Sequence, residues 1–175
     1  PESAVLQGQS VFRAAMQLKR EGFEPDLILG HSGWGSTLFM RDLFPKAALI
    51  GYFEWFYHAQ GADLDFDPDV KLNLLGKLRV RSLNLPFMMD LTACDGGICP
   101  TRWQWSQFPP EFQSKIMVCH DGVQTDRYAP NPEKRLSFPD LGIDFDGTEE
   151  VVTYVGRGME TYRGFPQFMK AMAIV

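Results

Sequence analysis

Short apolar runs alternate with stretches of helical spacing along most of this 175-residue chain. The runs occupy residues 26–30, 47–53, 96–99 and 116–119, and each is too short for a typical helix. Residues 3–21 instead carry apolar side chains at three- and four-residue spacing, the pattern of a helix with one buried face. Strands that alternate with helices in this way pair into parallel sheets. The sequence therefore predicts an α/β fold, a Rossmann-like, mainly parallel sheet with helices on both faces.

The composition excludes several classes of protein. Apolar residues make up 45% of the chain and charged residues 22%, which is enough apolar surface for a core and argues against disorder. The formal net charge of −5 argues against a nucleic-acid partner, because nucleic-acid surfaces need clustered Lys and Arg. No run reaches the roughly 20 apolar residues of a membrane span.

We expect no metal site and no cofactor. The three cysteines and three histidines lack the spacing of metal ligands. A polar loop carries four acidic residues, but it lacks the glycine and the closing glutamate of a calcium loop. These acids are Asp63, Asp65, Asp67 and Asp69. We interpret the segment as a solvated loop.

The stretch 115–130 marks the end of a first domain. An apolar run stops at Asp121-Gly122 and is followed by a polar segment that ends at Pro130. We expect three parts: a first domain at 1–130, a connector at 131–150, and the start of a second Rossmann-like domain at 151–175, with its first strand at 151–155 and a helix from about Phe165. Neither chain end has the polar character of a domain boundary, so we expect a fragment whose first strands are missing.

The segment after the first predicted strand is typical of a ligand-binding loop. It reads Gly-His-Ser-Gly-Trp-Gly-Ser-Thr and contains His31, Gly33, Trp34 and Gly35. Open α/β sheets bind ligands at strand ends, and glycines allow a ligand to approach the backbone closely. The following helix start offers free N–H groups. The alternative interpretation is a tight turn in which His31 is satisfied by backbone.

The second predicted strand ends in a polar and aromatic cluster that suits sugar recognition. The cluster includes Glu54, Tyr57 and His58. Aromatic faces stack on sugar rings, while carboxylate and imidazole groups bind hydroxyls. The alternative is a capping glutamate beside rings that belong to the core.

A third candidate site follows the predicted strand 151–155. The loop there contains Gly156, Arg157, Gly158 and Arg163 and leads into a predicted helix. Guanidinium groups bind phosphate in a bidentate manner, and a helix start adds partial positive charge. This pattern indicates a phosphate site; the alternative is a surface loop with two solvated arginines.

Residues 70–85 have helical composition, with several leucines and four basic residues, and Pro86 is expected to end or kink the helix. We interpret the basic residues as a solvated face. The second interpretation is contact with an acidic acceptor or a membrane surface.

The order of these motifs resembles glycosyltransferase family 4. The stretch His-Asp-Gly-Val-Gln at 120–124, followed by Tyr128 and Pro130, is similar to the end of the family's first domain, although Asp121 replaces the usual Asn and Gln124 the usual Asp. The loop at 156–164 is similar to the start of the nucleotide-sugar domain, with Arg163 where Lys is more usual. The blocks at 30–39, 51–58 and 100–104 resemble a subgroup with His-x-Gly-Trp-Gly in its first domain.

The resemblance implies two Rossmann-like domains that face a cleft, the GT-B architecture, and sugar transfer with retained anomeric configuration and without a bound metal. It implies that His31 and Glu54 act from the acceptor side as catalytic residues. Gly33, Trp34, Gly35, Tyr57 and His58 would bind the acceptor, and Gly156, Arg157, Gly158 and Arg163 would hold the donor diphosphate. A fragment of this kind is expected not to turn over alone.

The implied partners are a nucleotide-sugar donor and a glycan or lipid-linked acceptor, with peripheral membrane contact and no nucleic acid. The implied location is cytoplasmic, including the inner face of the membrane. Two alternatives share parts of the pattern. A nucleotide-sugar epimerase has the same two-domain architecture, and a non-catalytic sugar-binding module would keep only the aromatic strand end.

Overall fold

The computed structural model describes residues 1–62, 64–67, 71–133, 135–145, 147–148 and 150–175. The chain divides into two compact units, Pro1–Asp121 and Gly122–Val175. In the described part of the chain, no helix combines the length and the hydropathy needed to cross a membrane.

The first unit is built on four parallel strands, as predicted. They are β1 (Leu27–His31), β2 (Ala48–Tyr52), β3 (Gly96–Cys99) and β4 (Ile116–Val118), and they lie in the order β1-β2-β3-β4. Each strand falls within two residues of its predicted ends. The parallel, Rossmann-like sheet is confirmed.

The described residues of this unit form six helices: α1 (Glu2–Arg20), α2 (Met40–Leu43), α3 (Leu74–Leu83), α4 (Leu85–Ala93), α5 (Arg102–Ser106) and α6 (Pro110–Gln113). Pro86 lies in the first turn of α4, where a missing N–H is harmless, so the apolar stretch divides into two helices there. The Thr101 side chain accepts a hydrogen bond from the Gln104 backbone N–H and so caps the start of α5.

The two faces of the sheet differ in their environment. Side chains alternate between faces along a strand, and the strand register places one set together on the buried face: Leu49, Gly51, Gly97, Cys99 and Ile116. Side chains of α1, α2 and α4 pack with this set to form the core. On the opposite face, Leu27, Leu29 and Met117 are 58%, 61% and 60% exposed. The strands follow one another in sequence order across the sheet, and helices between them contribute side chains to this one core.

The second unit has little regular structure. It contains a two-stranded antiparallel hairpin, β5 (Ser137–Phe138) with β6 (Ile143–Asp144), inside the segment predicted as a connector, and a helix α7 (Phe165–Met172) close to the predicted position. The predicted strand at 151–155 is wrong, because these residues have no regular secondary structure. A strand requires a hydrogen-bonded neighbour, and the apolar sequence alone does not supply one.

Candidate functional site

The carboxyl ends of β1 and β2 bring His31 and Glu54 together. His31 is the last residue of β1 and is in register with Tyr52, so Glu54 follows just beyond the same edge of the sheet. The distance from His31 Nε2 to Glu54 Oε2 is 3.1 Å. The two side chains are 38% and 58% exposed, which leaves them open to a ligand.

The hydrogen bonds of His31 determine how its protons are placed. Nδ1 lies 2.9 Å from the Ser32 carbonyl oxygen, which can only accept, so Nδ1 carries hydrogen. The second ring nitrogen, Nε2, lies within hydrogen-bond distance of the Glu54 carboxylate. An imidazole beside a carboxylate is a combination that general acid–base catalysis uses to take a proton from a bound hydroxyl or to return one.

Aromatic rings surround this pair. The Tyr52 ring lies 5.1 Å from the His31 ring, and the Trp34 ring lies 6.5 Å from it. Trp34 is 70% exposed, although large aromatic side chains are usually buried. Next to Glu54, the Trp55 ring packs on Trp103 at 5.0 Å. Open indole faces beside the His31–Glu54 pair are suited to a sugar, which combines an apolar ring face with hydroxyl groups.

These groups line a cleft of ≈ 170 Å³. Its walls come from the start of α1, the loop after β1, the end of β2 and the junction of α3 with α4. The lining residues are Pro1, Ser3, Ala4, His31, Gly33, Trp34, Glu54, Trp55, Tyr57, Leu83, Pro86 and Phe87. The cleft therefore brings together five of the residues predicted for acceptor binding or catalysis. These are His31, Gly33, Trp34, Glu54 and Tyr57.

Gly33 and Gly35 of this loop leave room for neighbouring groups that pack closely against them. Gly33 has φ +87°, and a Cβ there would lie 2.1 Å from the Phe87 ring. Gly35 has φ +96°, and a Cβ there would lie 1.8 Å from the Ala4 carbonyl oxygen. Gly35 does not line the cleft. The helix that follows, α2, begins only at Met40 and has four residues, so the expected row of free N–H groups is not formed next to His31.

Asp90 of α4 holds this loop in place, and sequence reasoning missed it. Its carboxylate accepts hydrogen bonds from Ser32 Oγ at 2.7 Å and Thr37 Oγ1 at 2.8 Å, and from the Gly33 N–H at 3.4 Å. Asp90 is only 2% exposed. Burial raises the pKa of Asp90, and the three hydrogen bonds oppose that rise. The sequence signal that could have revealed this role is Asp90 itself, the single acid inside the apolar stretch 85–93. A carboxylate that is buried in such a stretch needs hydrogen-bond partners.

The end of the first unit is fastened to the same edge. Tyr52 Oη donates to Asp121 Oδ1 at 2.6 Å, across the intervening strand β3. Burial, followed by this hydrogen bond, raises the pKa of Tyr52, so the phenol stays protonated as the donor. Asp121 stands where the similar family motif usually has Asn, and its carboxylate oxygen accepts the hydrogen bond from Tyr52.

A hydrogen bond from Gln104 holds the backbone of Glu54 in place. Gln104 Nε2 donates to the Glu54 carbonyl oxygen at 2.9 Å, and the same Gln104 side chain accepts from Thr101 Oγ1 at 2.7 Å. The short helix α5 therefore fixes the chain direction after β2.

His58 lies away from the cleft. Its Nε2 donates to the Gln107 carbonyl oxygen at 2.7 Å, and its ring packs against Phe56 at 5.7 Å. Both contacts are those of a histidine that fastens a loop to the core.

The predicted phosphate loop belongs to the second unit and is described by itself. Arg163 Nε donates to Glu160 Oε2 at 2.8 Å, and its Nη2 donates to Tyr162 Oη at 3.1 Å. A hydrogen bond from Tyr162 and then that from Arg163 lower the pKa of Glu160. Gly156, Arg157 and Gly158 precede this group in the same loop, which gives it two arginines and one acid.

In the described residues, no group of three or more His, Cys, Asp or Glu side chains is placed to hold a metal ion. Asp63 and Asp69 of the acidic loop lie outside the residues that the structure describes.

Comparison with known proteins gives one match. The family model described as "Glycosyl transferase family 4 group" matches residues 1–128, which include the whole cleft. Searches of curated proteins and of solved structures give no significant match.

Proposed function

Because this chain belongs to glycosyltransferase family 4, we propose that it carries the acceptor side of an enzyme that transfers a sugar from a nucleotide-diphosphate sugar to a saccharide acceptor, with retained anomeric configuration. The acceptor is a glycan or a lipid-linked saccharide. The observation that carries the proposal is the His31–Glu54 pair, 3.1 Å apart and half-exposed in an aromatic cleft on the family domain.

The roles follow from chemistry at stated atoms. The exposed Trp34 face packs on the apolar face of the acceptor ring. An acceptor hydroxyl donates a hydrogen bond to the Glu54 carboxylate, which positions the attacking oxygen and receives its proton, while the hydrogen bond to His31 orients the carboxylate. In the second unit, Arg157 and Arg163 bind the diphosphate and stabilise its negative charge as it leaves. No step requires a metal.

The acceptor role is tested by steady-state kinetics on the full-length protein that contains this chain. Nucleoside diphosphate release is followed with a panel of uridine and guanosine diphosphate sugars and oligosaccharide acceptors, and the product anomer is identified by NMR. We expect His31→Ala and Glu54→Gln to lower transfer by about 10²–10⁴-fold, the usual contribution of a general acid or base. Nucleotide affinity should stay nearly unchanged.

Glu111→Gln is the matched control, because Glu111 is an exposed carboxylate on α6 that does not line the cleft. An equal loss of nucleotide binding in the His31 and Glu54 variants would assign these residues to the donor instead. Epimerised nucleotide sugar without transfer would identify an epimerase, and saccharide binding without turnover would identify a binding module.

The donor role is tested by calorimetry with nucleoside diphosphate and with the bare nucleoside. A charge-assisted hydrogen bond contributes about 1.5–3 kcal/mol, so Arg157→Ala or Arg163→Ala should weaken diphosphate binding roughly 10- to 100-fold and leave nucleoside binding unchanged. Glu160→Gln should strengthen diphosphate binding, since it releases Arg163 from its ion pair. Arg13→Ala on α1 is the control. If both arginine variants bind the diphosphate with wild-type affinity, the two arginines are solvated surface residues and do not form the donor site.

A further inference from the structure

Helix α3 presents three leucines to solvent. Leu74, Leu75 and Leu78 are 72%, 74% and 52% exposed, and Val80 is the one residue of this helix that is buried. On the next helix, α4, Leu85 and Met89 are exposed as well, at 55% and 47%. Globular helices bury such side chains, so a contiguous exposed set indicates a binding surface.

Basic residues border the leucines along the helix. With 3.6 residues per turn, Leu74, Leu78 and Leu75 occupy an arc of about 100°, with the buried Val80 on the far side of the helix. Arg81 lies about 20° before this arc and Arg79 about 40° beyond it, so the apolar stripe has a cation on each side.

The local charge is opposite to that of the whole chain. Residues 71–89 contain four basic residues and no Asp or Glu, whereas the chain carries a net charge of −5. Asp65 and Asp67 line the same surface depression as Lys71 and Lys77. Arg79 and Arg81 are outside that depression and are exposed, so they are available to an external anion.

We propose that α3 docks on an anionic lipid surface, with Leu74, Leu75 and Leu78 inserted among the acyl chains and Arg79 and Arg81 at the headgroups. A helix with an apolar stripe and flanking cations lies in the interface plane of a bilayer in this orientation. An acidic saccharide could pair with the arginines but has no apolar phase for three leucines. The combination of the two features therefore favours lipid. This docking surface does not depend on the proposed sugar transfer.

The test is vesicle flotation of the chain with phosphatidylcholine alone and with phosphatidylcholine containing phosphatidylglycerol. We expect binding to the anionic vesicles only, and weaker binding as salt rises. Arg79→Glu with Arg81→Glu should lower the partition coefficient by roughly 20-fold or more, since each basic residue near the surface contributes about fivefold. Leu74→Ser with Leu78→Ser should lower it at least about tenfold.

Matched controls use other exposed positions. Leu6→Ser with Leu18→Ser on α1, and Arg13→Glu with Lys46→Glu, change the same side-chain types away from α3 and should leave flotation unchanged. Circular dichroism checks that each variant is folded. Equal binding to both vesicle types, no binding, or an equal loss in the controls would overturn the proposal. Sedimentation experiments supply one further contradicting outcome. If the chain self-associates and Leu74→Ser abolishes the self-association, the exposed face of α3 binds a second copy of the chain.

Discussion

At the scale of single residues, the loop after β1 is determined by contacts made from outside it. Gly33 must have positive φ and must also leave room for the Phe87 ring. The Asp90 carboxylate reaches the same loop from α4 through two hydroxyl groups and one N–H. His31 and Trp34 are therefore placed by packing and by a buried acid, and these two causes can be tested separately.

Gly33→Ala should be distinctly more destabilising than Gly22→Ala. Both glycines have positive φ, at +87° and +94°, but a Cβ at position 22 meets nothing within 4 Å. The backbone strain costs about 1–2 kcal/mol in each case, and the clash with Phe87 adds about 1–3 kcal/mol only at position 33. Urea denaturation measures both differences. Equal losses would mean that Phe87 moves aside without cost.

Asp90→Asn gives a pH-dependent comparison. The native pKa of Asp90 is raised above its value of 3.8 in an open chain, so the native state holds this proton more tightly than the unfolded state. The stability gained in this way is complete below that value and is lost as pH rises through the native pKa. The unfolding free energy of the wild type minus that of Asp90→Asn should therefore fall as the pH rises above 3.8 and should level off once the pH has passed the native pKa. A difference that rises with pH would contradict the buried position of Asp90.

At the scale of elements, the sheet has one face in the core and one face open. Leu49 and Leu29 lie on neighbouring strands, but Leu49 is 2% exposed and Leu29 is 61% exposed. Parallel sheets are usually covered on both faces, and in the described residues the open face keeps its leucines accessible.

Leu49→Ala should lower the unfolding free energy by about 2–5 kcal/mol, the cost of a cavity in a packed core. Leu29→Ala should cost less than about 1 kcal/mol, because an exposed strand residue contributes mainly through its β propensity. Thermal or urea unfolding of both variants provides the comparison. A loss at Leu29 as large as that at Leu49 would show that the open face is covered in solution.

At the scale of the whole molecule, the two compact units differ in what they contain. The sheet, the cleft and the Asp121 hydrogen bond all belong to Pro1–Asp121. The four tryptophans, Trp34, Trp55, Trp103 and Trp105, belong to it as well, so tryptophan fluorescence reports on this unit alone.

A chain of residues 1–121 should unfold at the same urea concentration as the full 175-residue chain when tryptophan emission is followed. The first unit has its own core, which is the physical requirement for independent folding. A chain of residues 1–118 is the control. It lacks Asp121 and the hydrogen bond from the Cys119 N–H to the Cys99 carbonyl oxygen, and it should unfold earlier. A midpoint for 1–121 as low as that for 1–118 would contradict an autonomous first unit.

The sequence by itself determined the features that depend on neighbours along the chain. Apolar periodicity located β1 to β4 and α1, and Thr101 marked a helix start through a local side-chain cap. It also placed His31 and Glu54 after the ends of two predicted strands, where open sheets bind ligands.

The tertiary structure decided the features that join distant residues. The His31–Glu54 distance, the Asp90 hydrogen bonds to a loop more than 50 positions earlier, and the packing role of Gly33 all depend on the three-dimensional arrangement. The wrong prediction at 151–155 has the same physical reason. An apolar run becomes a strand only when another strand supplies its hydrogen bonds, and a local pattern carries no information about that partner.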